Sequence, residues 1–247
     1  MKIIISPAKK MQVNSDILDG TGTPAFLERT EELKECLASL NKDQLKDLFQ
    51  ANDKITELNY YRYQNMKLTE NLTPAVLAYV GIQYQSMAPN IFTTDQWEYV
   101  KQHLYIISGF YGLLKADDGV VPYRLEMQAK LKTKNAKDLY EYWGDSIYRE
   151  LIGDKKEVIV NLASKEYSKA VQPFADQDTP ILTCVFGTLQ GGKVKVKATE
   201  AKMARGFMVS FMARENAGNP EDLKKFSEGG YCFSEERSDM WNYVFLK

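Results

Sequence analysis

Histidine is almost missing: His103 stands alone in 247 residues. That excludes multi-histidine zinc sites, two-histidine iron triads and catalysis by paired imidazoles. Cysteine is scarce too. Cys36, Cys184 and Cys232 lie far apart and form no CxxC motif, so a zinc ribbon or thioredoxin-type site is excluded, and an odd count argues against a disulfide framework. Long apolar runs are absent. The opening stretch Ile3-Ile4-Ile5 is too short for a signal segment, and nothing approaches the roughly 18 apolar residues of a membrane span. These absences predict a reduced, cytoplasmic protein without membrane contact, resident metal or cofactor. An excess of positive charge is also lacking, since 32 Lys and Arg face 33 Asp and Glu. A globally cationic coat is excluded, whereas a local basic cleft is not. Apolar residues at 44% and charged residues at 26% are close to the globular average and rule out wholesale disorder.

What is present reads as one domain over 1–247. Residues 2–5 predict a short buried strand, and 11–24 an irregular polar segment. From 25 to 66 apolar residues recur at helical spacing, with Asn41 and Asn52 as N-caps between successive helices. Pro74 suits a first helical position, and Thr94-Asp95-Gln96 opens another helix. Leu104–Ile107 fits a strand or a helix end, and 137–151 fits one helix. Residues 158–160 make a buried strand. Strands at 181–186 and 193–197 flank a Gln190-Gly191-Gly192 turn, a long helix runs from about Thr199 to Ala217, and 230–233 with 242–246 suggest a final hairpin. The class is α+β: a single compact mixed domain with a helical N-terminal half, a central sheet and C-terminal hairpins, rather than a doubly wound α/β fold.

Five segments carry chemistry. Ser6-Pro7-Ala8-Lys9-Lys10 leaves the first strand with a hydroxyl and two cations, without the glycines of a nucleotide-binding P-loop. Ser108–Gly112 frames Phe110 and Tyr111 between glycines and leads to Tyr123, the planar fork of Arg124, and Glu126. Asn161, Ser164, Lys165 and Tyr167 follow the second buried strand, and would lie beside Ser6 if the two strands were neighbours. The alternation Lys193-Val194-Lys195-Val196-Lys197 places lysines on one face. Lys202 and Arg205 then share a helix surface beside Gly206, whose cost of about 1 kcal/mol in a helix suggests that a backbone or ligand approaches there. Glu228 offers a carboxylate before the last strands.

Together the segments ISPAKK at 5–10, SGFYGLLKADD at 108–118, PYRLEM at 122–127, DLYEYWGD at 138–145, VNLASKEY at 160–167, KMARG at 202–206 and SEGGY at 227–231 resemble the YaaA family of peroxide-stress proteins. The resemblance implies a compact α+β protein with a positively charged cleft. It also implies DNA binding and a cytoplasmic role in limiting peroxide damage, linked to lowered free iron. Lys10 stands where members often have Thr, and Lys115-Ala116 where they have Arg-Pro. The helix-hairpin-helix element described for the family has its nearest candidate at 46–66, which lacks the Gly-x-Gly hairpin.

Two readings of these residues stay open. In the first, Lys9, Lys10, Arg124, Lys165, Lys197, Lys202 and Arg205 neutralise DNA phosphates without sequence preference, and Tyr111, Tyr123 and Tyr167 stack on exposed bases. In the second, the same residues with Ser6, Asn161 and Ser164 form the active site of an enzyme on a nucleotide, nucleobase or other phosphate-bearing substrate, with Glu126 or Glu228 as acid or base. An open groove wide enough for a duplex favours the first, a deep pocket the second. A dedicated iron site is disfavoured, because no Glu-x-x-His spacing occurs.

Overall fold

The computed structural model describes residues 1–14 and 22–247. The sequence-predicted irregular segment over 11–24 therefore lies partly outside the described residues. The chain is organised by a sheet of eight strands: β1 (Lys2–Ile5), β2 (Leu104–Ser108), β3 (Gly112–Lys115), β4 (Ile159–Leu162), β5 (Ile181–Gln190), β6 (Lys193–Lys195), β7 (Cys232–Phe233) and β8 (Asn242–Leu246). Their spatial order is β7-β8-β5-β4-β1-β2-β3, with β6 paired to β5. The five strands from β8 to β2 run parallel, and β2–β3, β5–β6 and β7–β8 are the antiparallel pairs of this sheet among the described residues. The α+β class holds as a mixed sheet. Both hairpins expected from the sequence, β5–β6 and β7–β8, are present, and β2–β3 adds a third, while crossovers through helices make the middle of the sheet parallel.

β1 occupies the middle of the sheet, and Ile3, Ile4 and Ile5 are fully buried, which is why a strand this short is wholly apolar. Its neighbours are β2 on one side and β4 on the other, aligned as Ile5 with Ile106 and Ile5 with Leu162. The run 104–107 is both things the sequence allowed: a helix ends at His103 and the strand begins at Leu104. The turn between β5 and β6 is the two-residue loop Gly191-Gly192, with φ of 56° and 74°, the left-handed geometry that such hairpins need.

Helices α1 (Leu27–Ala38), α2 (Lys42–Phe49) and α3 (Asp53–Asn65) follow the predicted boundaries. Asn41 and Asn52 cap α2 and α3, accepting hydrogen bonds from the Gln44 and Ile55 amides at 2.9 and 3.0 Å. The turn at 50–52 thus satisfies the Ile55 amide with its own side chain. Pro74 is not helical; it sits in a short bridge of Thr73–Pro74 to Gly119–Val120, ahead of the single turn Ala75–Ala78. Then come α4 (Ile82–Met87) and α5 (Thr94–His103). The predicted helix over 137–151 is two, α6 (Leu139–Trp143) and α7 (Ser146–Ile152), broken where Gly144 takes φ +52°. Helix α8 (Ala198–Arg214) crosses α4. One continuous apolar cluster extends from Ile3 to Phe245. Among the described residues, no helix is long and apolar enough to cross a membrane.

Candidate functional site

The parallel register puts the carboxyl ends of β1 and β4 side by side. Chain order in the sheet reverses here: β1 is followed by β2 on one flank, while β4, β5 and β8 extend the other. Open parallel sheets bind ligands at such a reversal, because the connections diverge and leave a crevice. Ser6 leaves β1 and Ser164 lies just beyond β4. The Ser164 amide donates to Ser6 Oγ at 2.8 Å, and Ser6 Oγ donates to Ser164 Oγ at 3.3 Å. The Tyr84 hydroxyl donates to the Ser6 carbonyl at 2.9 Å. The expected meeting of the two strand-end loops is therefore present.

Above these ends is a hollow of about 380 Å³. Its walls are residues 6–10, 80–84, 123–126, Ser164, Glu166, Tyr167, Lys202 and Arg205. Five cations, Lys9, Lys10, Arg124, Lys202 and Arg205, line it against two carboxylates, Glu126 and Glu166. A nearly neutral chain thus carries a concavity with a clear positive surplus. Glu126 is 9% exposed and is held by Lys9 Nζ at 2.7 Å and Arg124 Nη2 at 3.1 Å. Arg124 and Glu126 share a face, as two residues of extended chain should. Burial pushes the Glu166 carboxyl above its ordinary range, and the charge of Glu126 adds to the shift, while the Gln128 amide, 3.2 Å from Glu166 Oε1, opposes it. Burial likewise drives the Tyr167 phenol upward, so it stays a protonated donor.

The aromatic residues of 108–123 serve a different purpose from the one the sequence suggests. Tyr111 is fully buried and its hydroxyl accepts from the Val121 amide at 3.1 Å, so no ring face remains for a base. Tyr123 reaches the hollow, but Phe110 stacks on it at 4.9 Å and its hydroxyl is engaged by Ser108 Oγ at 2.6 Å and the Tyr79 hydroxyl at 2.8 Å. Tyr63 donates to the Arg124 carbonyl at 2.8 Å and accepts from its amide at 3.1 Å. These rings form a scaffold that holds the 123–126 wall.

Of the remaining sequence candidates, Asn161 lies under the β4 turn, accepting from the Ala163 amide at 2.9 Å and donating to Thr183 Oγ1 at 3.2 Å. It shapes the loop and is absent from the hollow. Lys165 is exposed and off the lining. Lys197 pairs with Glu200 at 3.0 Å and Glu228 with Arg214 at 2.7 Å, both also outside it. The hollow therefore gathers Ser6, Lys9, Lys10, Tyr123, Arg124, Glu126, Ser164, Tyr167, Lys202 and Arg205, and adds Gln83, Tyr84 and Glu166, which sequence reasoning does not find. Among the described residues, no group of three or more His, Cys, Asp or Glu side chains is placed to share a metal ion.

The family model described as peroxide stress protein YaaA matches residues 1–237. The chain belongs to this family. A UPF0246 protein of Pediococcus pentosaceus is 50% identical over 247 residues, which is all of this chain and 98% of that protein. One from Agathobacter rectalis is 50% identical over 245 residues, covering 99% of this chain and 98% of its own length, and one from Ligilactobacillus salivarius is 49% identical over the full length of both. The family's name links the chain to peroxide stress; the UPF0246 names add no activity.

Proposed function

We propose that this peroxide-stress-family protein is cytoplasmic and binds DNA, without sequence preference, through the cationic rim of the hollow, and so limits iron-linked oxidative damage. The single observation that carries the reading is five cations facing two carboxylates around one concavity in a chain of net charge −1. Lys10 and Lys202 are exposed at the mouth, where duplex or single-stranded backbone passes. A space of about 380 Å³ matches a small-ligand site rather than a duplex groove. One unstacked nucleotide enters while its neighbours stay on the rim.

The small volume of the hollow favours a second reading, in which the captured unit is chemically altered. Burial raises the Glu166 carboxyl above its ordinary range, which suits it to donate a proton, and Glu126 lies beside it between Lys9 and Arg124.

Fluorescence anisotropy over a salt series, with duplex, bubble and single-stranded DNA, tests the binding. Lys10→Ala with Lys202→Ala should weaken it and lower the salt slope by about 1–2. Absence of binding by the parent, or an unchanged slope in the variant, refutes the assignment. Incubation of the same DNAs with pure protein, followed by mass analysis, separates binding from turnover.

A further inference from the structure

Arg205 differs from the other cations of the hollow. Lys9 and Arg124 share Glu126, while Lys10 and Lys202 are solvated at the mouth. Arg205 has no carboxylate within ion-pair distance among the described residues, although burial is strong enough to push its guanidinium below its ordinary range. Its Nε is buried and makes no hydrogen bond. A half-buried guanidinium without a counter-ion is costly, and an anion would remove that cost.

Gln83 lies on α4, the helix that packs against α8. The residue after Arg205 is Gly206, and a Cβ there would lie 2.1 Å from the Gln83 carbonyl oxygen, so α8 and α4 touch at this point. Gln83 is only 6% exposed, lines the hollow, and its Nε2 also has no partner. Arg124 Nε, on another wall, is a third buried atom without one. All three are donors. Buried polar atoms in folded proteins are nearly always paired, so three unpaired donors in the walls of one space suit a ligand that brings acceptor oxygens and negative charge.

We propose that the Gln83–Arg205 corner is a pocket for a terminal phosphate, the monoester of a nucleoside monophosphate or of a DNA 5′ end. A monoester presents three free oxygens and nearly two charges at neutral pH. A backbone diester presents two oxygens and one charge, and its strand would have to enter the corner and leave again. The DNA-end source rests on the DNA-binding reading above; the nucleotide source does not.

The test compares single-stranded oligonucleotides that differ only in a 5′-phosphate or 5′-hydroxyl, and deoxynucleoside 5′-monophosphates with the matching deoxynucleosides, by anisotropy and calorimetry. The parent should prefer the phosphorylated form by about tenfold or more in at least one pair. A preference among oligonucleotides identifies a DNA end; one confined to mononucleotides identifies a free nucleotide and stands even if DNA binding fails. Arg205→Met and Gln83→Leu should abolish the preference. Without ligand Arg205→Met should melt no lower than the parent, because it removes an unpaired, half-buried charge and keeps the stem. Arg205→Lys keeps the charge without the fork and should retain only part of the preference. Equal binding of phosphorylated and unphosphorylated forms in both pairs overturns the proposal. So does a clear loss of stability in Arg205→Met, which would make Arg205 a structural residue.

Discussion

Replacing Gly206 with Ala pits two effects of opposite sign against each other. In a free helix the change gains about 1 kcal/mol, because alanine orders at less entropic cost. In this protein the new Cβ would sit 2.1 Å from the Gln83 carbonyl oxygen, 2.9 Å from the Met87 amide nitrogen and 2.9 Å from Ser86 Cβ. Two of those atoms are backbone and cannot swing aside, so α8 and α4 must separate by about 1 Å. Overpacking of this kind costs about 1–3 kcal/mol, and at so close a contact the upper end applies. The net expectation is a loss of about 1–2 kcal/mol, together with weaker ligand binding as Arg205 moves from Gln83. Gly218→Ala is the control, since a Cβ there meets nothing within 4 Å, and it should be neutral or stabilising by a few tenths of a kcal/mol. Urea unfolding of both variants decides the matter. If Gly206→Ala is as stable as the parent or more so, the contact between the helices is not where the structure has it.

Asp118 is 4% exposed, and burial raises its carboxyl to about 6 from an ordinary 3.8, against the Lys115 amide that donates to it at 2.8 Å. The folded state thus holds this proton more tightly than the unfolded chain. Its contribution is fully present below about pH 4 and is lost as pH rises through about 6, a difference of about 3 kcal/mol. Asp118→Asn keeps an acceptor oxygen, so it should raise stability near pH 7 and flatten the dependence between about pH 4 and 6; an unchanged slope in urea titrations would count against this. Glu126→Gln strips Arg124 and Lys9 of their common partner. It should cost about 2–3 kcal/mol in unfolding experiments while increasing phosphate affinity, and a stable variant with unaltered affinity would show that the pairing matters to neither.

The legible parts of the fold were those set by local chemistry. Asn41 and Asn52 cap their helices because short amide side chains reach orphan amides wherever they occur. Gly206 announced a close approach because an unforced helix would not keep a glycine there. Parallel pairing was not legible in the same way, since nothing local tells β8 that it will lie along β5. The same limit explains the misread aromatics. Glycine-flanked Tyr111 looks like an exposed loop residue until strands and helices distant in sequence cover it. Gln83 left no signal, as one amide in a short polar helix is unremarkable until its neighbour is a glycine 123 positions later. Glu166 did leave one, lying between Lys165 and Tyr167 in a segment already marked as chemical.

The reversal of strand order at β1 has a consequence for how the protein is made. The floor of the hollow joins Ser6 to Ser164, and the last wall arrives with Arg205. At about 5–20 residues per second, translation leaves β1 without its second flank for roughly 8–30 s. No truncated chain ending before Arg205 holds the complete set of walls, so a ribosome that stalls after Tyr167 and before Lys202 releases a product with the floor of the hollow but without its last two cations.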